Sequence, residues 1–110
     1  MLKDLILGRL EGRPVAARPM FGGYGLYLDG TFFGVIAEGR LYFRTDEESR
    51  GLYTARGMAP FQPRGRPRGP KTVDRNFEVP PDVLADSAAL REWAARAAAA
   101  YRSDRARSRR

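Results

Sequence analysis

The residues of this chain best suited to chemistry are basic, and they lie in two places. Residues 61–71 hold Arg64, Arg66, Arg68 and Lys71 and no acid, for a charge of +4. Residues 101–110 hold five arginines, with Arg102, Arg105 and Arg107 leading, beside Asp104 alone, for +4 again. The 110-residue chain carries +7 in total, so the rest of it sums to −1. A near-neutral body with excess charge in one loop and one tail suits a phosphate backbone or an acidic partner. Contacts of that type position a nucleic acid without reading its sequence. Simple solubility explains the same pattern, because the chain uses Arg 18 times and Lys twice.

Other chemistries are thinly supplied. The chain has no Cys and no His. Disulfides, thiolate nucleophiles and thiolate zinc sites are therefore excluded, as are the commonest general base and metal ligand. Asp29, Glu38, Asp82 and Asp86 are the candidate acids. Asp29 and Glu38 each precede a glycine and read as turn residues, and Asp86 reads as a helix cap. Tyr24, Tyr27 and Tyr42 fall in strand patterns and read as packing. No nucleophile stands beside a base, so no enzyme, cofactor or metal is expected.

The segment "MFGGYGLYLDG" sets Gly22, Gly23, Gly25 and Gly30 among aromatics. It contains neither phosphate-loop spacing, and a strand follows it where a phosphate cradle needs a helix N-terminus. Gly23-Tyr24-Gly25 fits the centre of the RNA-reading RNP1 pattern, but its basic and aromatic flanks are missing. A structural role explains more: tight turns, a bend into a strand, and close approach between strands.

The elements that would position these residues follow from periodicity. Leu2, Leu5, Ile6 and Leu10 predict a helix over residues 2–11, and Val15 to Arg18 an extended lead-in. "YGLYL", "TFFGVIA" and "RLYFR", joined by DG and EG, predict a three-stranded antiparallel meander. The turns set Leu28 opposite Thr31, Leu26 opposite Phe33, Gly25 opposite Gly34 and Ala37 opposite Arg40. One face then carries Tyr27, Phe32, Ile36, Leu41 and Phe43, and the other Leu26, Phe33, Val35 and Tyr42. Thr45 and Glu48 fit a capping box for a helix over 46–56. "MAPF" at 58–61 reads as an edge strand, 62–72 as a Pro/Gly/Arg loop, and Val73 to Val79 as a half-buried strand. A last helix runs from Asp86 through Tyr101, with Trp93 anchored against Leu90 and the Tyr27/Phe32/Ile36 face. The fold class expected is α+β, one domain over 1–101 of order α-β(3)-α-β(2)-α, with residues 102–110 a disordered basic tail.

"MFGGYGLYLDGTFFGVIAEGRLYFRTD" and the later "FEVPPDVLADSAALREWAARA" resemble the TfoX N-terminal domain family, over about Val15 to Ala98. The resemblance implies a bacterial cytoplasmic protein of the same element order, associated with regulation of competence and DNA uptake. It brings no catalytic residue and no cofactor. The short first helix and the Pro/Arg-rich loop depart from the family pattern. Full-length competence regulators carry a second domain, so a competence role does not transfer directly.

Two functional classes follow. The first is a small non-enzymatic regulatory or interaction module, with an unidentified regulatory protein as partner. It would touch nucleic acid without sequence preference through Arg64, Arg66, Arg68, Lys71, Arg102, Arg105 and Arg107. The second is a dimeric protein-binding module of the secretion-chaperone type. Leu26, Phe33, Val35 and Tyr42 form an apolar face short of helices to cover it, which predicts self-association as a two-fold homodimer. The opening "MLKDLILGRLEG" lacks the apolar run of a secretory signal, and no span approaches twenty apolar residues, so no membrane contact is expected.

Overall fold

Both hairpin turns adopt the geometry their residues demand. Asp29, Gly30, Glu38 and Gly39 all have positive φ, between 50° and 81°. That is the type I′ signature, whose twist matches the strands it joins. The computed structural model describes residues 2–20, 22–61 and 75–108. Over these residues the element order is α1 (Leu2–Arg9), β1 (Val15–Met20), β2 (Gly23–Leu28), β3 (Thr31–Ala37) and β4 (Arg40–Arg44). Then follow α2 (Glu47–Thr54), β5 (Asn76–Glu78), α3 (Pro81–Leu84) and α4 (Ser87–Ser108). The strands form one antiparallel sheet of five in sequence order, and the fold is α+β as expected.

The strand count shifts by one at each end. The extended lead-in is a full edge strand, β1, paired with β2 from Val15↔Leu28 to Met20↔Gly23. Pro19 is tolerated there because an edge strand need not donate on both sides. At the other edge, "MAPF" contributes only an isolated bridge, Pro60↔Phe77, rather than a strand.

A bulge in the first hairpin rearranges the faces. Leu28↔Thr31 and Tyr27↔Phe32 pair as expected, but Leu26 then pairs with Gly34 and Gly25 with Val35. Phe33 is the extra residue, so the expected Leu26–Phe33 and Gly25–Gly34 pairs do not form. A bulge lets the inserted side chain turn to the face it would otherwise miss. Phe33 uses that freedom to reach the helix-covered core, fully buried and 5.5 Å from Phe43 between ring centroids. Gly34 is needed beside it, because a Cβ there would lie 2.5 Å from the Tyr42 carbonyl oxygen.

The helix-covered face therefore carries Leu26, Leu28, Phe33, Ile36, Leu41 and Phe43. Leu90, Ala94, Ala97 and Ala98 of α4 and Ile6 and Leu10 of the N-terminal segment pack on it. The alanines let α4 lie close to the sheet, and burial of these side chains is the main stabilising term. The opposite face holds a smaller cluster of Val35, Ala37 and Phe61, flanked by Met20, Phe32 and Tyr42.

Three local expectations also shift. The α2 cap is one residue later than read: Asp46 accepts from the Ser49 amide at 2.7 Å, and Ser49 Oγ accepts from the Asp46 amide at 3.0 Å. Thr45 is instead buried, donating from Oγ1 to the Arg75 carbonyl at 2.8 Å. Trp93 is half-buried and meets Tyr53 of α2, with ring centroids 4.8 Å apart, rather than the Tyr27/Phe32 pair. Finally, α4 does not stop at Tyr101. It runs for 22 residues to Ser108, so Arg102 to Ser108 are helical rather than disordered. Asp86 caps its start, accepting from the amides of Ala88 and Ala89 at 3.0 and 3.2 Å.

Candidate nucleic-acid interface

The last two turns of α4 bring Arg102 and Arg105 onto a framework. Arg102 and Arg105 are three apart and so share a helix side, and both are exposed. Arg102 Nη1 donates to Thr31 Oγ1 at 3.4 Å, tying α4 to the start of β3. Arg105 Nη1 donates to Tyr101 Oη at 3.3 Å, with its guanidinium 5.8 Å from that ring. Arg107 follows on the same helix. The loop cations Arg64, Arg66, Arg68 and Lys71 lie outside the described residues.

Asp104 explains why this segment stays helical. Its Oδ2 accepts from Arg44 Nη2 at 2.7 Å and from Arg75 Nη1 at 3.2 Å. The Arg44 and Asp104 side chains are only 11% and 17% exposed, and Arg75 36%. One carboxylate thus joins α4 to the end of β4 and to the residue preceding β5. Charge-assisted bonds in a partly desolvated site are stronger than neutral ones in water. Cations near a helix C-terminus also suit its dipole.

A run of arginines and rings leads away from this anchor. Tyr27 and Phe32, cross-strand partners in the first hairpin, meet edge to face at 5.8 Å, and Phe32 meets Tyr101 the same way at 5.5 Å. The Arg18 guanidinium sits 5.0 Å from the Tyr27 ring centre, and that of Arg44 sits 5.2 Å from Tyr101. Arg18 stands opposite Gly25, and the space a side chain at Gly25 would need is taken by the end of Met20. At the Tyr101 end of this run lies an open groove of about 400 Å³, lined by Gly30, Thr31, Tyr101, Arg102, Arg105 and Ala106.

The apolar set expected to self-associate is divided by the bulge. Leu26 and Phe33 are fully buried beneath the helices and cannot form a surface contact. Val35 and Tyr42 do lie on the opposite face, where Val35 is buried and Tyr42 packs 5.0 Å from Phe61. Burial, then the nearby Glu78 carboxylate, raises the Tyr42 hydroxyl above its ordinary pKa.

The candidate acids have structural partners. Asp29 and Glu38 occupy turns, Asp82 lies 3.5 Å from Arg56, and Asp86 caps α4. Burial raises the Tyr53 hydroxyl well above its ordinary pKa, which suits a core residue. Among the described residues no group of three or more acids could hold a metal ion.

Sequence reasoning missed Arg18, Arg44, Arg75, Phe32, Tyr101 and Asp104 as parts of one surface. One signal was present: a single acid inside a run of five arginines. Its partners come from β4 and from the residue before β5, separations that no local pattern reveals.

Among the described residues, no helix is long and apolar enough to cross a membrane. No curated protein matches the sequence. A family model, that of the TfoX N-terminal domain, does match, over residues 7–101. That span takes in every strand, α2, α3 and α4 as far as Tyr101, and the chain therefore belongs to the TfoX N-terminal domain family.

Proposed function

We propose that this protein is a small, non-enzymatic regulatory or interaction module of the bacterial cytoplasm that holds a nucleic-acid backbone without sequence preference. The observation that carries the reading is the placement of Arg102 and Arg105, exposed on one side of an anchored helix and beside an open groove. A cation held by a fixed helix loses less conformational freedom on binding than one in a free tail. Asp82 beside Arg56 and Asp86 capping α4 support a binding module over an enzyme, because both carboxylates already have structural roles. The near-neutral remainder of the chain confines attraction to the basic segments.

Salt dependence tests the reading. If the four loop cations and the two helix arginines each meet a phosphate, log K against log salt on duplex DNA falls with a slope near −5. R102Q/R105Q together reduce that slope by about 2, and R64Q/R66Q/R68Q by about 3, with both variants folded by circular dichroism at the assay temperature. The change should be equal across DNA sequences, because phosphates carry no sequence information. No retention on duplex or single-stranded DNA at low salt would refute the nucleic-acid clause and leave an acidic protein as the partner.

A further inference from the structure

We infer that the groove between the β2–β3 turn and the end of α4 takes a single-stranded nucleic acid, whose bases stack on the Tyr27–Phe32–Tyr101 run while its phosphates meet Arg18, Arg102 and Arg105. This rests on the nucleic-acid reading above and specifies the strand state. The three rings are contributed by β2, β3 and α4 and are each only partly buried. They form a continuous path, with centroid separations of 5.8 and 5.5 Å. Exposed cations lie at its two ends, Arg18 at one and Arg102 with Arg105 at the other.

Alternation of rings and arginines is the pattern that sequence-tolerant single-strand binding requires, because every base has a π-face and every linkage a charge. A duplex turns its bases inward and offers the groove phosphates alone. It would use Arg102 and Arg105 but leave the rings without a role. The groove, at about 400 Å³, has the size of a small-ligand site. Its charge is cationic in effect. Asp104, the acid within the helix, is taken up by Arg44 and Arg75, leaving Asp29 at the head of the turn as the acid beside Gly30. Thr31 Oγ1 is already the acceptor for Arg102.

The test compares three labelled probes of about ten units, a length within the range such grooves track: an oligothymidylate, an abasic phosphodiester of equal charge, and a duplex. By fluorescence polarisation at low salt, the oligothymidylate should bind at least about fivefold tighter than the abasic strand. Tyr27→Leu should remove that preference. On the unaltered protein, photocrosslinking of a bromouracil-substituted strand should map to the peptides carrying Tyr27 or Tyr101. Equal affinity for thymidylate and abasic strands would overturn the inference while leaving charge-only binding intact. So would a preference that survives Tyr27→Leu, or crosslinks mapping elsewhere. If none of the three probes is retained, the nucleic-acid reading and this inference fall together.

Discussion

Replacing Asp104 with Asn should destabilise the protein far more than its place in a basic, near-terminal segment suggests. The carboxylate accepts from both Arg44 and Arg75. Removing its charge leaves the Arg44 guanidinium, 11% exposed, without its counter-ion. Arg44 Nε is already buried without a partner, so the group has little left to fall back on. Breaking a fully buried ion pair from one side costs about 3–5 kcal/mol. Arg75 is 36% exposed and its share is screened, so the expected loss is about 2–3 kcal/mol. In a domain of this size each kcal/mol moves Tm by about 4 °C, giving a fall of about 8–12 °C. Thermal melts by far-ultraviolet circular dichroism measure this directly. Hydrogen exchange should show the last turns of α4 opening first, because Asp104 is their tie to β4 and Arg75. The control is Arg40→Gln. Its ion pair with Glu78 is also short, at 3.1 Å, but the Arg40 side chain is 62% exposed, and such pairs contribute about 0–1 kcal/mol. A D104N protein melting within about 2 °C of the parent would refute the argument. So would an R40Q loss as large as that of D104N.

Three further outcomes follow from the same geometry. Gly23→Ala and Gly34→Ala should each cost about 1–3 kcal/mol or more in urea denaturation, because the added Cβ meets the Ile36 carbonyl and the Tyr42 carbonyl respectively. Gly25→Ala should cost less than either, since the close neighbour of its Cβ is the end of the flexible Met20 side chain rather than backbone; the reverse order would mean the bulge is misplaced. Trp93→Ala should cost about 2–3 kcal/mol, below the range for a fully buried Trp, and a loss under about 1 kcal/mol would show that the Tyr53 contact contributes little. Burial opposes ionisation of Asp46, but hydrogen bonds from Ser49 and the Arg96 charge outweigh it and hold its pKa below the ordinary value. The unfolded chain then binds this proton more readily than the folded one, so the contribution of Asp46 is complete above about pH 5 and is lost as pH falls below about 4. Urea midpoints of the parent should therefore drop over that interval more steeply than those of Asp46→Asn, and parallel profiles would remove Asp46 from the account.

Local chemistry made much of the fold legible from residues alone. DG and EG fix both I′ turns because only a narrow set of residues accepts two successive positive φ values. The Leu28↔Thr31 and Ala37↔Arg40 pairs beside those turns follow at once. Asp86 at a helix start and the apolar stripe of α4 depend on bonds and spacings within a few residues. Composition, with neither Cys nor His, excluded thiol and imidazole chemistry by itself.

Tertiary structure decided what depends on distant partners. The bulge at Phe33 is permitted by Gly34 beside it, but neither that glycine nor the DG turn specifies it. It exists because a large aromatic gains more from burial against Phe43 than an unbroken ladder gains from one more pair. That single insertion exchanged Leu26 and Phe33 for Tyr27 and Phe32 between the faces, because strand side chains alternate with period two. Tyr27 and Phe32 meet each other there, and Phe32 meets Tyr101 of α4. In the same way, the composition of the last residues reads as a solvated basic tail. Helix over Arg102 to Ser108 is held because Arg44 and Arg75, 60 and 29 residues away in sequence, converge on Asp104, and helical order in a short segment comes more from tertiary anchoring than from propensity.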